Sequence, residues 1–169
     1  MTMKIFSRLH VRLLMAMAAL MCAHSVQAVC VACTCTVTVT SIVFAPVNPL
    51  QTPNTDSSGN VRVGCGGAVS LAIAFTVALS PGGSNSSAAR TMSSGGAKLG
   101  YNLYTDNTYA TIWGDGTGSG VLVSGNVLLD LFGSSTPQNF TVYGRIPGRQ
   151  TSVAPGAYSD SLIVTLTYF

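Results

Sequence analysis

Apolar residues recur at every second position through much of this chain, in short stretches broken by glycine, proline and asparagine. The sharpest stretch is Leu71, Ile73, Phe75, Val77 and Leu79. The last is Leu162, Val164, Leu166 and Tyr168, with Ile163, Thr165 and Thr167 alternating onto the opposite face. A period of two turns one face of a strand to a core and the other to solvent. The same reading predicts strands over 35–44 (ended by Pro46 and Pro49), 61–65, 90–92, 99–104, 109–113, 121–123, 127–132 and 140–146. Polar or glycine-rich loops are expected over 51–59, 80–87, 114–120 and 124–126. No helix longer than a turn is expected after the first 28 residues. Short strands at this spacing predict an all-β, immunoglobulin-like antiparallel β-sandwich. Tyr158, just ahead of the last strand, stands where such sandwiches carry a corner tyrosine. The last strand stops at Phe169, so its next position in the sheet is either already flanked or open to a strand from elsewhere.

The first 28 residues follow a different rule. A basic start (Lys4, Arg8, Arg12) precedes an apolar run over 13–23 and the small-residue site Val26-Gln27-Ala28, the pattern of a secretory signal peptide. The run is too short to span a bilayer comfortably, and no membrane insertion is expected. Residues 29–169 then form one domain. The formal charge of +3 belongs to the leader. After it, Arg62, Arg90, Lys98, Arg145 and Arg149 are matched by Asp56, Asp106, Asp115, Asp130 and Asp160, so no nucleic-acid partner is implied.

Both histidines, His10 and His24, lie in the leader, and the chain has no glutamate. A Ser-His-Asp or Cys-His site therefore cannot be assembled, and neither an enzyme nor a cofactor or metal site is expected. The Gly114-Asp115-Gly116-Thr117-Gly118 stretch reads as a loop rather than a calcium site. Trp113, Tyr101 and Tyr104 are candidates for a sugar platform, weighed against ordinary packing of strand aromatics. Cys30, Cys33, Cys35 and Cys65 remain after the leader. In an oxidising compartment we expect Cys35–Cys65 to join the first two strands, leaving Cys30 and Cys33 as a possible second, local pair.

Several motifs in order, namely Cys35-Thr36-Val37 with Phe44 downstream, Cys65, Arg90-x-Met92, Leu99-Gly-Tyr-Asn-Leu-Tyr-Thr-Asp106, Trp113-Gly-Asp-Gly116, Val142-Tyr-Gly-Arg-Ile-Pro147 and Gly156-x-Tyr-x-Asp160, make the chain resemble the spore coat protein U domain family. That family includes subunits of archaic, Csu-type chaperone–usher pili. The resemblance implies structural roles for Tyr101, Tyr104, Trp113, Tyr158 and Asp160. It also implies a sandwich lacking its final strand, whose groove accepts first a periplasmic chaperone's strand and then a neighbouring subunit's. Leu162, Val164, Leu166 and Tyr168 would line or flank that groove, and the Phe169 carboxylate would anchor the chaperone.

The implied function is a structural or adhesive subunit of a secreted surface fibre, reaching the cell surface through the periplasm and the outer-membrane usher among other pilus subunits. Only six residues separate Ala28 from Cys35, which suggests a chain that accepts a strand but donates poorly, as at a fibre tip. The alternatives are a self-associating coat or matrix protein and a carbohydrate-binding module.

Overall fold

The computed structural model describes residues 33–67 and 72–169. The expected leader, the short pre-strand segment up to residue 32 and Leu71 lie outside them. Eight strands follow in order: β1 (Thr34–Thr40), β2 (Thr55–Gly66), β3 (Ala72–Leu79), β4 (Arg90–Ser94), β5 (Ala97–Tyr104), β6 (Val123–Leu128), β7 (Gln138–Ile146) and β8 (Val164–Tyr168). They make two antiparallel sheets, one ordered β1-β2-β7-β5-β4 and the other β6-β3-β8. The expected all-β, immunoglobulin-like sandwich is borne out, and the one helical element among the described residues is a 3-10 turn at Gly82–Ser84.

The alternation that predicted β3 also explains its place. Ile73, Phe75, Val77 and Leu79 are all buried, and β3 is the central strand of the smaller sheet. Val61 and Val63 on β2 and Val142 and Ile146 on β7 meet them from the larger sheet. Fully burying each such side chain stabilises by roughly 1.5–3 kcal/mol. Trp113, wholly buried, ties the layers together. Its backbone N–H donates to Leu103 of the larger sheet (3.0 Å) and its indole Nε1–H to Val77 of the smaller (3.0 Å). Cys35 and Cys65 stand opposite each other in the β1–β2 register and form a disulfide. Cys33 is also disulfide-bonded; Cys30, its expected partner, lies outside the described residues.

Five expectations need correction. The strand expected over 127–132 stops at Leu128, the end of β6. β1 ends at Thr40, and residues 41–47 leave the sheet to lie across the sandwich. The expected loop over 51–59 is strand from Thr55 onward, because Asp56 to Gly59 pair with β7. Residues 124–126 interrupt nothing. Gly125 lies directly opposite Phe75 within β6, and a Cβ there would stand 2.4 Å from the Phe75 ring. Glycine in this strand is the space an aromatic neighbour occupies. Lastly, residues 109–113 form no strand; they contribute only isolated bridges at Ile112 and Trp113.

Candidate functional site: an open apolar groove

Among the described residues, β8 has a hydrogen-bonded neighbour on one side only. Ser80 N–H donates to Ile163 O and Phe169 N–H to Ala74 O, both at 2.9 Å. Backbone groups alternate sides along a strand, so the N–H and C=O groups of Val164, Leu166 and Tyr168 face away from β3. No described strand pairs with them.

Beside this free edge lies a groove of about 970 Å³. One wall is the approach to β8, from Tyr158 through Leu162 to Val164. The opposite wall is formed by residues 39–49, and the floor by core residues of both sheets, including Val61, Leu79, Met92 and Ile146. Ile42 and Phe44 on the second wall settle over Gly59 and Gly144. An added Cβ would lie 2.7 Å from Ile42 at the first and 2.8 Å from the Phe44 ring at the second. Ser57 holds the same segment by donating from Oγ to Val43 O (2.7 Å).

The β8 wall is fixed by polar contacts. Tyr158 Oη donates to Ala154 O (2.6 Å), the tyrosine-corner geometry expected from its position. Ser159 exchanges two backbone hydrogen bonds with Ser93. Asp160 accepts from Tyr101 Oη at 2.8 Å and from the N–H groups of Gly83 and Ser161. Burial, reinforced by the carboxylate beside it, pushes the Tyr101 phenol well above the ordinary tyrosine range.

Arg90 supports the same end from inside. Almost wholly buried, it donates to the carbonyls of Leu79, Ser80, Ser87 and Trp113 and to Asn102 Oδ1. Burial lowers its pKa from the usual guanidinium range. Ser80, one of its acceptors, is also the residue that fixes Ile163 through both its backbone N–H and its Oγ.

Among the sequence-predicted groove residues, Leu162 and Val164 line the groove and Leu166 packs half-buried against the core. Tyr168 and Phe169, 37% and 43% exposed, lie beyond the lining. Trp113 and Tyr101 are buried in packing roles, so neither offers a face to a sugar, whereas Tyr104 is only partly buried. Asp115 accepts from the N–H and hydroxyl of Thr117, as a turn residue does. No cluster of three or more metal-ligating side chains occurs among the described residues. The ionisable side chains lining the groove are Tyr101, Tyr158 and Asp160, all hydrogen-bonded within the fold. The rest of the groove lining is apolar or uncharged, beside the backbone groups of β8 that no described strand pairs.

Sequence reasoning missed two parts of this site. Residues 41–47 look like the end of a strand, and only their fit over Gly59 and Gly144 shows them to be a groove wall. Arg90 carried a motif but no signal of burial, because its partners are loop carbonyls rather than a carboxylate.

Residues 20–165 match the Spore Coat Protein U domain family. A search of the curated proteins gives no match. Fourteen chains of solved structures match. One belongs to the crystal structure of the CsuC–CsuE chaperone–tip adhesion subunit pre-assembly complex from archaic chaperone–usher Csu pili of Acinetobacter baumannii. It is 18% identical, with a TM-score of 0.47, over 79% of this chain and 39% of that one. The chain thus spans well under half the length of that structural match.

Proposed function

The chain belongs to the Spore Coat Protein U domain family, and from that premise we propose that it is a structural or adhesive subunit of a secreted chaperone–usher fibre whose groove receives a strand from a partner molecule. The observation that carries this reading is the free edge of β8 beside an apolar groove. A strand laid against β8 would pair with the backbone groups of Val164, Leu166 and Tyr168 and place alternate side chains on the groove floor. A periplasmic chaperone would supply the first such strand and another subunit the second, with an outer-membrane usher exchanging them and the product exported to the cell surface. Leu162 and Val164 are the residues here that meet the incoming side chains; Leu166 and Tyr168 act through their backbone groups. The acceptor-only, tip-like position rests on the short segment 29–34, of which residues 29–32 lie outside the described residues, and is carried as part of the proposal.

An unfilled groove exposes apolar surface and an unpaired sheet edge, both of which promote aggregation. Expressed alone in a periplasm, the chain is expected to aggregate or be degraded. Co-expression with a cognate chaperone, or fusion of an alternating apolar donor peptide after Phe169 through a flexible linker, should yield soluble protein with a raised melting temperature. A soluble monomer whose melting temperature is unmoved by donor peptide would overturn the reading. Mixing the chain with a shaft subunit whose groove is empty tests direction: a stable complex formed through this chain's N-terminus would make it a donor as well.

A further inference from the structure

The outer face of the larger sheet carries a second cluster, away from the groove lining. Tyr104 and Tyr143 are direct cross-strand neighbours on β5 and β7, and Asp56 and Arg145 are neighbours on β2 and β7. Tyr109, from the loop after β5, lies over them. The Arg145 guanidinium sits 3.5 Å from its ring centroid, and the ring packs in T-shaped geometry on Tyr104 and Tyr143, with centroids 5.5 Å and 6.4 Å apart. All three rings remain partly exposed. Arg145 donates from Nε and Nη2 to the two oxygens of Asp56, each at 2.7 Å.

The loop is built to present Tyr109. Its φ is +59°, left-handed, a conformation that bulky side chains rarely adopt and that surrounding contacts must hold. Those contacts come from Asp106, which accepts from the N–H groups of Thr108, Ala110 and Thr111 through its carboxylate and from Tyr109 N–H through its carbonyl. Core packing does not require the arrangement, because the ring lies on the outer face. Beside Tyr143 is a depression of about 290 Å³, lined by Thr105, Asn139, Thr141 and Tyr143 together with the apolar Trp113, Val123 and Phe140. That is just below the ~300–1,000 Å³ typical of ligand pockets, room for a single small ring.

We propose that the Tyr104–Tyr109–Tyr143 platform and the adjoining depression bind a neutral saccharide. Tyrosine rings offer flat apolar faces to the C–H side of a sugar while hydroxyl, amide and carboxylate groups beside them take its hydroxyls. The chemistry excludes a phosphate or acidic sugar as the preferred ligand, because the one cation in the cluster is neutralised bidentately by Asp56. The site does not depend on how the groove is filled.

The test is a neutral and acidic glycan array probed with the chain made soluble by a donor peptide fused after Phe169, followed by saturation-transfer NMR with the best-bound methyl glycosides. Saturable binding of a neutral saccharide, with transfer from tyrosine ring protons, is expected. Tyr109→Ala should weaken it about tenfold. Asn139→Ala, at an exposed strand position, should weaken it without altering the melting temperature. Absence of saturable binding to any neutral glycan overturns the proposal. So does preference for acidic glycans, preference for a proline-rich peptide run as a control, or binding unchanged in both variants.

Discussion

Tyr101 and Asp160, 59 positions apart in sequence, are joined by a hydrogen bond of 2.8 Å that ties β5 to the approach to β8. The same carboxylate accepts from Gly83 in the turn after β3. One aspartate thus holds together three segments that converge at the mouth of the groove.

Tyr101→Phe should keep the ring packing and lose the clasp, lowering stability by roughly 1.5–3 kcal/mol as a hydrogen bond to a charged group, less whatever solvent screening removes at Asp160. Its pH signature is distinctive. Tyrosine in the unfolded chain ionises near pH 10, whereas folded Tyr101 is held neutral to higher pH by burial and then by Asp160. The folded-state pKa is raised, so this contribution is fully present below about pH 10 and is lost as pH rises toward the folded value. Denaturation of donor-complemented protein across the alkaline range should show a steeper loss of stability in the parent than in Tyr101→Phe. Identical slopes would remove the argument.

Arg90→Met keeps much of the side-chain volume but leaves the carbonyls of Leu79, Ser80, Ser87 and Trp113 without this donor. With buried unsatisfied acceptors costing about 1–3 kcal/mol each, a loss on the order of 3 kcal/mol or more is expected. Arg90→Lys should recover only part of it, because an ammonium cannot span acceptors spread around a planar guanidinium. Urea unfolding of the two variants in the complemented form checks both the loss and the ranking. Equal stability of Met and parent would show that the buried charge contributes nothing net.

How far the fold was legible depended on whose side chains fill the core. β3 was plain because Ile73, Phe75, Val77 and Leu79 occupy the interior themselves. The first half of β2 was not. Its inward positions are small, Ser57 and Gly59, because Ile42 from a segment some fifteen residues upstream fills that space, and so the stretch reads as a polar loop. Gly125 misled for the same reason, with the Phe75 ring in its place. The groove was half legible. Leu162 and Val164 announce an apolar face, but the opposite wall exists only through tertiary contacts that no local pattern encodes.

The Cys35–Cys65 disulfide closes a loop of 30 residues between an edge strand and its neighbour. Replacing both cysteines with alanine should cost roughly 3–4 kcal/mol by the loop-entropy relation. Peptide mapping without reductant should recover the linked pair, and denaturant midpoints of parent and double variant should differ accordingly. Recovery of Cys65 linked to Cys33, or as a free thiol, would contradict the assignment.

Proline substitution along β8 distinguishes the strand's two edges. Val164 presents its N–H to the open side, whereas Thr165, paired with Ala78, presents its N–H to β3. Proline is tolerated in an edge strand when the missing N–H would have faced solvent, but not when it removes a ladder bond. In chaperone-bound or donor-fused protein, Val164→Pro should therefore delete one hydrogen bond to the incoming strand, about 0.5–1.5 kcal/mol, as well as a side chain that lines the groove. Thr165→Pro instead breaks the β3–β8 ladder and should lower the yield of folded protein whatever fills the groove. Val164→Pro should express as well as the parent with excess chaperone yet release a noncovalent donor peptide roughly tenfold faster, since about 1.4 kcal/mol corresponds to a factor of ten. Donor release unchanged in Val164→Pro would mean that the incoming chain does not pair with β8. The groove would then be an apolar pocket rather than the seat of a strand.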